Sequence, residues 1–253
     1  MGSRLRLKLG RGGGGDPLLQ LPNIAAFYDF SKVAIGAISG LIEPIQGCNL
    51  AQTTGSRQPI GVDYLGSRCA YFDGSDDYMD ALNPSRLLDG ASGGTIIIIH
   101  AREDKVATQY PIFYAKASNT LQFAIGYRST STNAMRSSCR LNAETIANSP
   151  NSTENKANGA FTYAIATASK ATGSITIKQR DIAKLSATGL DTNSNFTAID
   201  PRLSIGSYYH ATEASRTDYF KGWMKAAYIF KRALTDTEVS TIVEPYLLAK
   251  YGV

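Results

Sequence analysis

The residues that could do chemistry in this chain are few, and their spacing argues against catalysis. The two histidines, His100 and His210, stand 110 residues apart, and neither sits in a nucleophile or metal-ligand motif. His100 reads as a packed strand residue. Glycoside hydrolysis needs two carboxylates on one face, about 5–9 Å apart. Here Glu43, Glu103, Glu144, Glu154 and Glu213 fall in separate predicted loops, while Glu238 and Glu244 lie on a closing helix. A glycoside hydrolase is therefore the reading these spacings argue against, and no catalytic residue is assigned. Asp73, Asp76 and Asp77, with Asp80 beyond them, are the densest acidic cluster. Two roles stay open for it. Clustered carboxylate oxygens are what calcium takes, and Asp-Gly-Ser-Asp is also a turn whose side chains bond their own backbone. No other cofactor is suggested. For sugar binding the chain offers aromatic rings beside polar groups. Tyr208, Tyr209 and His210, followed by Thr212, Glu213 and Arg216, make one such loop; Tyr127 with Arg128 makes a second.

The elements that would position these residues are strands. Thr95–Arg102 is a continuous β-branched run, expected to be buried on both faces. Pro111–Lys116 and Leu121–Tyr127 form a pair, as do Phe161–Thr167 and Ser174–Arg180. Cys69–Asp80 predicts strand, tight turn, strand about Asp73-Gly-Ser-Asp76. Met135–Leu141, Leu203–Tyr209 and Phe220–Phe230 add further strands. Ten to thirteen short strands separated by turn signals indicate an antiparallel sandwich. A short helix closes it: Thr235-Asp-Thr-Glu238 is a capping box, and Val239, Ile242, Val243, Tyr246 and Leu247 share one face. Pro245 should kink or restart this helix, and Gly252 suits its C-terminal cap.

Residues 1–22 read as a separate arm ahead of a domain over 23–253. Arg4-Leu-Arg-Leu-Lys-Leu9 alternates charged and apolar residues behind the hinge Gly12–Gly15, a pattern suited to docking on another subunit by strand addition. Arg4, Leu5, Arg6, Leu7, Lys8, Leu9 and Arg11 are its candidate contact residues. The net charge of +5 is concentrated there; without residues 1–16 the body carries +2. A nearly neutral body does not indicate nucleic-acid binding. No stretch approaches the roughly 18 apolar residues that span a bilayer, and no apolar core follows the basic start, so no secretory signal is read. The protein is expected to be used without secretion or released by another route, such as lysis. Cys48, Cys69 and Cys139 are expected to be buried thiols, with an interchain link as the alternative.

Four segments, in order, resemble the laminin-G-like group of concanavalin-A-like jelly rolls. They are Ala26-Phe-Tyr-Asp-Phe30, Ala70-Tyr-Phe-Asp-Gly-Ser-Asp-Asp-Tyr-Met79, Gly94-Thr-Ile-Ile-Ile-Ile99 and the terminal Gly222-Trp-Met-Lys-Ala-Ala-Tyr-Ile-Phe-Lys-Arg-Ala-Leu-Thr-Asp-Thr-Glu238. His100 stands beside the place where many relatives carry Trp. The resemblance implies an all-β, antiparallel β-sandwich with a short C-terminal helix, and a fold often displayed on phage particles. The expected function is a non-enzymatic virion structural protein: a head decoration, tail or fibre component, homo-oligomeric, with other virion subunits as partners. Host-surface glycans would be its ligands, and no specific nucleic acid or membrane is expected. The alternative is a freestanding carbohydrate-binding lectin module.

Overall fold

The computed structural model describes residues 15–253, apart from 82–83, 104–107, 117–119, 129–133, 142–145, 154–157, 197–201 and 211–214. The chain runs through β1 (Ile24–Asp29), β2 (Gly36–Ala37), β3 (Gly40–Leu41), β4 (Leu50–Ala51), β5 (Ile60–Tyr64), β6 (Ser67–Asp73) and β7 (Met79–Ala81). After a single helical turn, α1 (Ser85–Leu88), come β8 (Gly93–Arg102), β9 (Gln109–Lys116), β10 (Thr120–Tyr127), β11 (Ala134–Cys139), β12 (Ala147–Asn148) and β13 (Ser152–Thr153). Then follow β14 (Thr162–Ser169), β15 (Ser174–Gln179), β16 (Leu185–Thr188), β17 (Arg202–Ile205), β18 (Tyr208–His210), β19 (Ser215–Thr217) and β20 (Lys221–Phe230). The closing helix consists of α2 (Asp236–Glu238), a π-helical stretch Val239–Val243, and α3 (Glu244–Tyr251).

Two nine-stranded antiparallel sheets stack face to face. The first has the order β16-β15-β14-β8-β20-β6-β5-β2, with β1 also on β20; the second runs β12-β11-β10-β9-β17-β7-β4-β3, with β13 on β11. This is the expected jelly-roll sandwich with its helix at the C-terminus. The core between the sheets takes one alternating set from each strand: Ile96 and Ile98 from β8, Ile112 and Tyr114 from β9, Phe123, Ile125 and Tyr127 from β10. The intervening residues of β8, Ile97 and Ile99, pack outward under the closing helix with Tyr228, Val243 and Leu247. All four isoleucines are fully buried, as the unbroken β-branched run predicts, and burying each contributes about 1.5–3 kcal/mol.

Several local expectations hold in detail. Thr235 Oγ1 accepts from Glu238 N at 3.2 Å, and Glu238 Oε2 accepts from Thr235 N at 2.9 Å, completing the capping box. Pro245 cannot donate a helical hydrogen bond; the backbone widens into the π stretch ahead of it and restarts as α3. Gly252 caps α3 in the left-handed region at φ 66°. The three cysteines are free and buried.

Two expectations are corrected. β6 and β7 are not a hairpin: they lie in different sheets, and Asp73–Asp77 carries the chain across the sandwich. Leu203–Tyr209 is not one strand either. It breaks at Gly206, whose φ of 94° and whose approach to Phe72 (2.5 Å from an added Cβ) admit only glycine, so β17 stays in the second sheet while β18 pairs with β19 as a separate hairpin.

Of the arm expected over residues 1–22, residues 1–14, including Arg4 through Arg11, lie outside the described residues. The remainder is held against the body. Leu18 is fully buried in a short 3₁₀ turn. Asp16 Oδ2 accepts from Tyr228 Oη at 2.8 Å and Lys250 Nζ at 3.0 Å.

Candidate functional site

On the outer face of the second sheet, strand alternation presents residues that skip the core set. From β9 come Phe113 and Ala115, joined by Tyr110 through a register irregularity between Gln109 and Ile112; from β10 come Ala124 and Gly126, and from β11 Arg136 and Ser138. Phe113, Ala115, Ala124 and Tyr110 form a small apolar cluster of their own, with Tyr208 packed on it. The β18–β19 hairpin brings Tyr208 there. Its ring centroid lies 4.4 Å from that of Phe113 and 5.1 Å from that of Tyr110. Tyr208 remains half-exposed, so it offers a ring already held in place by two others. Burial pushes the Tyr110 and Tyr208 hydroxyls up, against the opposing pull of nearby arginines.

Those arginines are Arg128, just after β10, Arg136 in β11, and Arg140, just after β11. Arg136 stands directly opposite Gly126 across the ladder. A Cβ on Gly126 would lie 2.6 Å from the Tyr110 ring, so the glycine is what lets Tyr110 lie flat beside Arg136. Burial and the neighbouring Arg128 charge both lower the Arg136 pKa. The Arg128 side chain reaches the Tyr110 hydroxyl, and Arg140 acts electrostatically on Tyr208. Arg140 Nε is buried without a hydrogen-bond partner. Asp218 stands beside Tyr110 and Tyr208.

Of the sugar-binding candidates, then, Tyr208 and Arg128 meet on this face. Tyr127 does not. It is fully buried between the sheets, with its hydroxyl bonded to His100 Nε2 and its ring 4.1 Å beneath Arg102, because one-residue alternation turns it inward where Arg128 can remain at the surface. Arg216 is also corrected. Its guanidinium binds Asp80, Ser204 Oγ (2.7 Å) and Ser207 Oγ (2.9 Å) and lies 3.5 Å over the Tyr78 ring. It clamps the hairpin to the sheet instead of facing a ligand. The Tyr209 and His210 side chains, with Thr212 and Glu213, lie outside what the structure describes. Tyr110, Arg136 and Arg140 were missed by sequence reasoning. The signal was the alternation Arg136-Ser-Ser-Cys-Arg140 within a segment already read as strand.

The acidic cluster does come together: carboxylate oxygens of Asp73, Asp76 and Asp77 lie within 4.8 Å of one another. Two of its three carboxylates are nonetheless engaged by the turn. Asp73 Oδ1 accepts from Ser75 N (2.7 Å) and Asp76 N (3.3 Å), and Asp77 Oδ2 accepts from Asp73 N (2.9 Å). Burial raises the Asp77 carboxyl to about 6, with Asp73 and Asp76 adding to it. Oxygen-only donors suit calcium, and the same three side chains would hold it.

The glutamates are structural where described. Glu43 accepts from Phe27 N, Ile45 N and Gln46 N; Glu103 binds the Tyr71 hydroxyl at 2.6 Å; Glu238 pairs with Arg232; Glu244 pairs with Lys178 at 3.2 Å. Glu144, Glu154 and Glu213 are outside the described residues.

At the far end of the sandwich both sheets finish in two-residue edge strands, β2 and β3. A groove of about 510 Å³ opens there between Phe27, Ala37, Gly40, Leu41 and Ile42. Beside it Ile35, Ile42 and Ile60 are 70%, 79% and 45% exposed.

No family model matches the sequence, and no curated protein matches it. Solved structures share the fold. A heptameric SAP-like pentraxin from Limulus polyphemus superposes with a TM-score of 0.57 at 14% identity, over 69% of this chain and 80% of that one. The binding domain of botulinum neurotoxin DC, in complex with SialylT, gives 0.60 at 11% identity over 89% and 52%. NanB sialidase from Streptococcus pneumoniae gives 0.52 at 18% identity over 69% and 27%. The chain thus spans about half of the toxin chain and a quarter of the sialidase. The shared architecture is the antiparallel jelly-roll sandwich.

Proposed function

We propose that this chain is a non-catalytic, lectin-like module that binds glycans on the outer face of its second sheet. The observation that carries this reading is the half-exposed Tyr208 ring, braced by Phe113 and Tyr110 and bordered by arginines. An aromatic ring fixed before binding stacks on a sugar at little entropic cost. The pentraxin and toxin binding domains that share the fold support a binding role over a catalytic one. A glycan array probed with the full chain and with Tyr208→Ala tests it. Retention of saccharides by the native chain, weakened by the substitution, is the expected result; a native chain that retains none ends the proposal.

The setting we propose is a virion surface, with residues 4–11 as the attachment element. The alternation of the arm favours it, and so does the open, apolar β2/β3 edge, since such edges accept an added strand. Particle incorporation of a chain lacking residues 1–14 is the check. Unchanged incorporation would rule out attachment through the arm.

A further inference from the structure

Among the described residues, the arginines of this face, Arg128, Arg136 and Arg140, have no carboxylate within ion-pair distance, and each is half-buried. Elsewhere the protein pairs its arginines closely: Arg68 with Asp63 at 2.7 Å, Arg232 with Glu238 at 2.6 Å, and Arg216 with Asp80. Burial lowers the Arg136 pKa, and the like charge of Arg128 beside it lowers it further. Asp218 lies on the Tyr110 and Tyr208 side of the group.

The register gathers these side chains onto one patch. Arg136 lies in β11 and Arg140 directly follows its end, four residues on, so their backbones stand about 13 Å apart. Gly126 and Ala124, opposite Arg136 and Ser138, contribute almost no side chain. The floor of the patch is therefore low between the arginines on one side and Tyr110 and Tyr208 on the other. Guanidinium is planar and takes carboxylate oxygens in pairs, while a tyrosine ring takes the apolar face of a pyranose.

We propose that the ligand of this face is an acidic saccharide, its carboxylate received by Arg136 with Arg128 and its ring stacked on Tyr208. This rests on the glycan-binding reading and narrows it to a charge class. Binding weakens as salt screens the arginines.

The test compares matched probes on the intact chain: oligogalacturonate against its methyl ester, and sialyllactose against lactose. A carrageenan fragment, sulfated and free of carboxylates, serves as the sulfated probe, and a DNA oligomer as a polyanion without carboxylates. The variants are Arg136→Gln and Arg136→Lys, each checked for an unchanged thermal midpoint. A carboxylate-bearing probe should bind at least about tenfold tighter than its neutral partner. Arg136→Gln should remove that preference, and Arg136→Lys should restore part of it. Equal affinity for charged and neutral partners would overturn the charge class while leaving the glycan-binding reading standing. Binding of the carrageenan fragment or DNA alone, or as tightly as the carboxylates, would show general polyanion attraction and overturn the inference. Failure of every saccharide would end both readings. If Arg136→Gln does not fold, the matched-probe preference of the native chain still decides.

Discussion

Gly126 and Arg136 face each other across the β10–β11 ladder, and the missing side chain of the first makes room for Tyr110 beside the second. Gly126→Ala would put a Cβ 2.6 Å from that ring. The ring must shift, at a cost of about 1–3 kcal/mol for overpacking. Chemical denaturation should show this loss. Glycan binding should weaken with it, since Tyr110 braces Tyr208.

His100 is fully buried in β8 and its pKa is lowered to about 3, first by desolvation and then by Arg102. The unfolded chain takes up this proton near pH 6.5 and the folded chain does not. The resulting stability is complete above pH 6.5 and is lost as pH falls toward 3, by up to about 1.4 kcal/mol per pH unit. In urea titrations between pH 6.5 and 4, His100→Gln should flatten this part of the slope. An unchanged slope would show that the imidazole takes up a proton in the folded state.

Glu238 has the opposite charge type with the same direction of loss. Arg232 and the Thr235 cap hold its carboxyl down at about 2. Its contribution is present above pH 4.5 and disappears as pH falls through 2. Glu238→Gln should therefore cost about 1–2 kcal/mol at neutral pH, given its partial exposure, and nearly nothing at the acid limit.

Asp77 behaves in reverse. Its folded pKa of about 6 exceeds its unfolded value of 3.8, so its charge destabilises the fold once pH rises through 6. Asp77→Asn, which keeps the acceptor for Asp73 N, should equal or exceed the native chain in stability at pH 7–8. Millimolar calcium offers a second measurement. A raised thermal midpoint in the native chain, absent in Asp77→Asn, would establish the cluster as a metal site; no shift would leave it a turn.

Deletion of residues 1–14 should leave the thermal midpoint unchanged, because the anchoring groups, Asp16 and Leu18, are retained. Deletion of 1–22 should lower it, since Leu18 is buried and Asp16 accepts two hydrogen bonds. Melting curves of the two truncations decide this, and light scattering on the first shows whether the arm links copies.

The sandwich was legible because its signals are local. The β-branched run at 95–102, the capping box at Thr235 and the alternation in β14 and β15 each depend on neighbours in sequence. The functional face was only half legible. Tyr208 and Arg128 could be picked out as aromatic and basic loop residues, but which face Tyr127 takes depends on a strand register shared with β9. Arg216 looked available until the fold placed Asp80, 136 residues earlier, against it. Arg136 and Arg140 read as ordinary strand charges, and only the assembled sheet shows that, among the described residues, neither forms an ion pair.

Asp16 and Lys250 touch at 3.0 Å, so the folded body is entered and left at a single corner. A unit with that geometry can be spliced into a surface loop of a host protein or joined end to end and reopened elsewhere, for instance at the exposed Leu65–Gly66 turn, without stretching either sheet.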